Sequence, residues 1–462
     1  MLPFFINHNV LVDYYYYKQP NRAPFIYFFI YLHSDFYTMN KYFQFLFLFL
    51  PFLSISAQNI SQIEPVNYIF DDAIKSVKVT LLGQSFGQPI LKIGSGDQLE
   101  LVFDDLDQKD RYLKYTLIHC THDWKISPLN PIEYLDGFLE DEISEFQNSF
   151  NTIQHYTRYS LKFPNDLLRV TKSGNYLLFV YDDTPDRPVL TRRVMIEEAT
   201  SVGISGVVDH AVDVNYRDTK QQVDFTVYSA NYAIRNPSMY LHATIMQNGR
   251  WDNAISGLTY RSLKPGEFNF YFDNLNLNLF PGSSEFRTFD TRTLRNLSNR
   301  IVSVNFDDQV NQAYVMEDMA RPFGLYETNT TLKGACYWAN NDFQGDITED
   351  YVLTHFTLRA DFRVSGGDLY LFGELTDWRI IPDAKLVYNP ETKYWEASLY
   401  LKQGFYNYQY VFVPKNQNDI DATYIEGSHW QTNNDYTILI YLQEEGTSYD
   451  KLIGSKILNI KK

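Results

Sequence analysis

From Ala73 onward apolar residues recur at every second position, and a period of two puts one set of side chains on the buried face of a β-strand. Val77, Val79 and Leu81 alternate with Lys78 and Thr80, and Leu99, Leu101 and Phe103 alternate with Gln98 and Glu100. Leu178 and Val180 follow a Ser173-Gly174-Asn175 turn. A second series runs through Val223, Phe225 and Val227, then Met239, Leu241, Ala243 and Ile245, into Asn248-Gly249, a strong hairpin signal, and on to Phe268, Phe270 and Phe272. A third takes in Leu369 and Leu371, Trp395 to Leu401, Tyr406 to Phe412, and Tyr436, Ile438 and Ile440.

The chain has 462 residues, more than the roughly 250–300 at which single cores stop growing. The three series therefore predict an all-β protein of tandem β-sandwiches with few short helices: an N-terminal sandwich over 66–200, a middle one over 201–325 and a C-terminal one over 345–455. An irregular connector runs from Arg321 to Asp350. The best helical signal starts at Asn130-Pro131, a cap followed by proline, and carries Leu135, Leu139 and Ile143 at spacings of four, weakened by Gly137. Tyr and Phe number 37 and 34, and in half-buried sheets such rings fill the space between layers.

Composition excludes several classes. Lys plus Arg are 40 against 56 Asp plus Glu, a net charge of -16 whose field repels a phosphate backbone, so nucleic acid is not an expected partner. Two cysteines, Cys120 and Cys336, cannot build a disulfide framework. Met39-Asn40-Lys41, the apolar run Tyr42 to Leu53 and the small-residue exit Ser54-Ile55-Ser56-Ala57 predict a secretory signal cleaved after Ala57. Residues 1–38 read as an upstream extension. Gln44 and Pro51 interrupt the apolar run, which is short for a membrane anchor, and no cysteine follows it for acylation. The mature chain is expected in the periplasm, with no transmembrane span.

Motifs for catalysis are missing. His119, Cys120 and His122 carry metal-ligand residue types, but on a strand His119 and His122 point to opposite faces, and no CxxC or HExxH spacing adds ligands; no metal and no cofactor is expected. Gly94-Ser95-Gly96 is not a nucleophile elbow, and no phosphate-cradling glycine loop occurs. Carboxylate pairs such as Asp104-Asp105 and Asp182-Asp183 read as solvated strand ends rather than a glycosidase pair. No catalytic residue is assigned. Asp123-Trp124, Trp251-Asp252 and Asp377-Trp378 each sit at the end of a predicted strand, where the indole either closes a sandwich or forms a platform for a sugar or a protein groove.

The block His119-Cys120-Thr121-His122-Asp123-Trp124, followed by Leu129-Asn130-Pro131, Glu133 to Phe138 and Asn148 to Thr152, resembles the signature of the type IX secretion system plug protein family. Gln247 to Ile255, Gly404 to Tyr410 and Trp430 to Tyr436 agree with it. The resemblance implies a non-catalytic periplasmic β-protein that docks on the periplasmic mouth of the outer-membrane translocon barrel and seals it. It marks His122, Asp123, Trp124, Asn130, Tyr134, Trp251 and Trp430 as contacts or fold determinants. The stretch Asp368 to Trp378 with Tyr394 to Ala397 and Lys402 to Tyr410 is similar to early-set, immunoglobulin-like glycogen- and starch-binding modules, which adds Trp378 as a binding candidate. A second reading is therefore a secreted glycan-binding protein.

Overall fold

The computed structural model describes residues 63–460 apart from 344, 346 and 416–418. The expected extension and signal, residues 1–57, lie outside them. Among the described residues strands are by far the commonest regular element, and the α-helices are three four-residue turns. No helix there is long and apolar enough to cross a membrane.

The first sandwich pairs Ile74–Leu81, Leu99–Asp105, Thr157–Phe163 and Glu145–Asn148 in one antiparallel sheet. Its other layer is formed by Leu113–Cys120, Gly174–Asp182 and Pro188–Glu197. Leu99, Leu101 and Phe103 are fully buried and share a core with Leu117, Tyr176 and Leu178, as their alternation requires. Gly174–Asp182 is buried on both faces: its odd-numbered residues Leu177, Phe179 and Tyr181 form a separate core with Met246, Leu439, Tyr441 and Leu452. The layer thus covers two cores, one on each side.

That second face is met by Leu241–Gln247, Asp435–Gln443 and Asp450–Asn459, which pair in that order and join the first layer through the parallel pair Glu197 and Leu452. The alternation of Tyr436, Ile438 and Ile440 predicts a strand, and the strand is there. Its partner differs from the expectation: it pairs with Gln247, Ile245 and Ala243 of the middle series, not with the third sandwich. The reason is packing, since Tyr436, Ile438 and Ile440 fill the core made with Phe225, Phe270 and Phe280. A similar exchange occurs near residue 290, where Phe289, Ile301 and Val315 leave the middle series and pack with Phe356, Leu369, Leu399, Tyr406 and Tyr410 in the third core.

The helix expected from Asn130 stops after Pro131–Tyr134. Leu135–Gly137 then turns extended and pairs with Leu168–Val170, Leu139 is 43% exposed, and only Leu135 and Ile143 of the three spaced residues are buried. Gly137, at φ 102°, approaches Leu167 so closely that a Cβ would lie 2.3 Å from its carbonyl oxygen. A spacing of four equals one helical turn but also two pleats of a strand, so it does not separate the two.

Candidate functional site

The signature block lies where the last strand of its layer, Leu113–Cys120, ends. Thr121 to Lys125 form a tight turn in which the Trp124 N–H donates to the Thr121 carbonyl (2.9 Å) and Thr121 donates to Asp123 (2.5 Å). Asp123 pairs with Lys125 at 2.7 Å. Trp124 adopts φ 61°, uncommon for a bulky side chain, and this backbone bend turns its ring inward to 7% exposure. There it meets Trp251 edge-on, with centroids 5.0 Å apart, and the Arg193 guanidinium lies 4.4 and 5.0 Å from the two rings. Burial pulls Arg193 down to about 10. Trp124, Trp251 and Arg193 come from three distant segments, so the cluster clamps the first sandwich to the middle one.

His122 makes a second clamp. Its backbone N–H and Nδ1 both reach Asp450 Oδ2, at 2.8 and 3.0 Å, and its ring stacks on His242 at 4.3 Å with planes 6° apart. Burial pushes Asp450 upward, but the bonds from His122 outweigh it and hold the carboxyl below its usual range. Burial, and then the neighbouring His122, depress His242. His119 points the other way, into the first core, edge-on to Tyr176 at 4.9 Å, and Cys120 belongs to the core on the opposite face. Among the described residues no group of three or more His, Cys, Asp or Glu is placed to hold a metal ion.

Trp251 and Trp378 line one cleft of about 390 Å³ with Lys78, Arg192, Lys333 and Glu374. The cleft walls are tied by Lys78–Glu374 at 3.1 Å, Arg192–Asp377 at 3.1 Å and a Lys333–Asp435 ion pair. Trp378 packs edge-on to Phe286 and Phe372, under the Arg250 guanidinium at 4.9 Å. Gly334 abuts its outer edge, where a Cβ would lie 2.2 Å from the indole. These neighbours pack around the half-buried Trp378 ring at the edge of the cleft. Asn130 and Tyr134 are apart from this cluster: Asn130 N–H donates to Glu133 (2.7 Å) to start the short helix, and Tyr134 is buried beside His119 and Tyr176. Trp430 also stands apart, edge-on to His210, its carbonyl accepting from Gln221 at 2.6 Å.

Sequence reasoning missed the most enclosed charges. Asp104 and Asp105, expected as solvated strand ends, are 1% and 0% exposed because each faces an arginine: Asp104 pairs with Arg158 at 3.0 Å and with Lys402, and Asp105 with Arg111 at 2.6 Å. Tyr351 donates to Asp104 at 2.8 Å, and Asp350 accepts from the backbone of Ile153 and Gln154 at 2.8 and 3.0 Å. These contacts fasten the third core to the first. Tyr351 and Lys402 lie 247 and 298 residues from Asp104, so no local spacing signals these cross-core contacts.

Trp124, Trp251 and His122 thus meet their partners across the boundary between the first and middle cores. A family model described as the first domain of the type 9 secretion system plug protein matches residues 74–198. The crystal structure of a hypothetical protein from Parabacteroides merdae is 32% identical to this chain, with a TM-score of 0.81, the match covering 86% of this chain and 100% of that one. The C-terminal domain of the Streptococcus pyogenes antigen I/II-family protein AspA matches at 9% identity, over 84% of this chain and 99% of that one, with a TM-score of 0.15, too low to carry any argument. No curated protein matches the chain. The signature block and its clamps lie within or against this matched first domain, which places the chain in the type IX secretion system plug protein family.

Proposed function

We propose that this protein is a non-catalytic periplasmic plug that binds the periplasmic mouth of the type IX secretion outer-membrane translocon and seals it between transport events. One observation carries the reading. Signature residues tie the first core to the middle one through Trp124–Trp251 and His122–Asp450, and the buried Asp104–Lys402 pair, outside the signature, ties the first core to the third. The described residues from 63 on fall in one compact unit. A body closing a barrel must resist deformation rather than turn over a substrate, and buried paired charges give such resistance because breaking one leaves an uncompensated ion. The net charge of -16 keeps the body soluble and suits a basic rim on the partner. Export follows from the signal ending at Ala57.

The test is affinity capture of a tagged chain from detergent-solubilised outer membranes. Co-purification of the large translocon barrel is the expected result, with cross-links mapped onto this chain. Capture that never recovers the barrel would count against the reading. Amino-terminal sequencing of the exported protein is expected to begin at Gln58.

A further inference from the structure

Phe323 and Leu325 are the two most exposed large apolar side chains among the described residues, at 96% and 91%. Both sit at the tip of an irregular loop whose two ends are fixed. On one side the Arg321 N–H donates to Ile425 O (2.8 Å), its Nε to Glu426 (2.7 Å) and its terminal nitrogen to Glu285 O (2.6 Å). On the other, the Tyr326 hydroxyl donates to Glu285 Oε1 at 2.9 Å and its ring lies 5.9 Å from His429. Between them Gly324 N–H returns to Arg321 O at 3.2 Å. Gly427, at φ +76°, lies against the loop so closely that a Cβ would be 3.0 Å from the carbonyl oxygens of Arg321 and Pro322. The tip is therefore held out into solvent by its own stem.

Exposing two apolar side chains on a braced loop costs burial energy in the free protein, and the cost is recovered when a pocket covers them, with little ordering left to do. The charges around the tip decide between a bilayer and a protein pocket. Arg321 is consumed by Glu426, and Arg359, whose carbonyl accepts from Ala320, pairs with Asp361 at 2.9 Å. The exposed carboxylates Glu317 and Glu327 flank the tip, and no Lys or Arg occurs from 322 to 332. An acidic shoulder is repelled by an anionic leaflet, whereas it complements a basic rim. Resting on the plug reading, we infer that Phe323 and Leu325 insert into an apolar, basic-rimmed pocket of the translocon protein and anchor the plug there.

The experiment compares binding of the full chain to the detergent-purified translocon for wild type, F323S/L325S and V214S, the last altering another exposed apolar residue, 81% exposed, in the loop between strands Gly203–His210 and Lys220–Tyr228. Thermal unfolding is measured for all three. The double variant is expected to keep its melting temperature and to bind at least about tenfold more weakly, as loss of anchor residues does, while V214S binds like wild type. Equal binding by wild type and F323S/L325S would overturn the inference and leave the plug reading standing. An equal loss in V214S would also overturn it. If wild type failed to bind the translocon at all, the plug reading would fall and this inference with it. Flotation of wild type with phosphatidylethanolamine–phosphatidylglycerol vesicles, abolished in F323S/L325S, would reassign the tip to lipid.

Discussion

Lys402 and Asp104 form an ion pair across the boundary between the first and third cores, with side-chain exposures of 0% and 1%, although 298 residues separate them. Lys402 also lies 3.9 Å from the centre of the Tyr156 ring, and Arg158 shares Asp104 and reaches Glu349 at 3.6 Å. Removing one partner leaves a cation sealed in a low-dielectric site. Asp104→Ala is expected to cost about 3–5 kcal/mol of stability in urea unfolding. Lys402→Met combined with Asp104→Leu, which removes both charges, is expected to recover most of that loss. A double variant as unstable as the single one would show that packing, not the unpaired charge, sets the cost.

Trp124, Trp251 and Arg193 make the joint between the first sandwich and the middle one. Trp124 is 7% exposed, so Trp124→Ala leaves a cavity and is expected to destabilise the protein by about 3–5 kcal/mol. Arg193→Met keeps the aliphatic stem but removes the cation from two ring faces, and about 1–2 kcal/mol is expected. Coupling measured in the Trp124→Ala/Trp251→Ala double-mutant cycle should exceed 0.5 kcal/mol, the lower end for residues in contact. Strict additivity would mean that the rings do not act together.

How much of this was legible in the sequence follows from what periodicity encodes. Leu99, Leu101 and Phe103 announce a buried face, and all three are fully buried. Periodicity says nothing about which strand lies alongside, so Tyr436, Ile438 and Ile440 were readable as a strand but not as the partner of Ala243 to Gln247. Leu135, Leu139 and Ile143 failed for a different reason, since their spacing fits both helix and strand. The signature block is visible as a run of unusual residue types, and Trp124 from it meets Trp251 across the boundary between the first and middle cores. Asp450, His242, Arg193 and Lys402, which complete such contacts, carry no local mark, because charge pairing across the fold depends on topology alone.

Cys120 and Cys336 are free and buried. Burial pushes the Cys120 thiol up to about 12 and Cys336 well above its ordinary value, with the Glu374 carboxylate adding to the effect at Cys336. Only the thiolate reacts, so both should be inert in the folded protein. Labelling with a thiol reagent near pH 8 is expected to be negligible for the native chain, and both thiols should react once guanidinium unfolds it. Rapid labelling of the native protein would mean that the cores open on the timescale of the assay.

His119 is expected to weaken the fold as the pH turns acid. Burial depresses it from 6.5 to about 4, partly offset by its Nε2 contact with Ser173 O at 3.2 Å. A base whose folded value lies below its unfolded value binds more protons when unfolded, so stability rises with pH between the two values. The contribution is complete above about pH 6.5 and is lost as pH falls toward 4. A shift of that size is roughly 3 kcal/mol. His242 is depressed as well, and Glu426, held down to about 2 despite burial by Arg287 and Arg321, extends the loss to lower pH. Urea unfolding of wild type is therefore expected to weaken steadily from pH 7 to pH 4. In His119→Gln, which has no proton to gain, the slope between pH 6.5 and 4 should flatten by that amount, whatever the variant costs at neutral pH. An unchanged slope would show that His119 is protonated alike in the folded and unfolded chains.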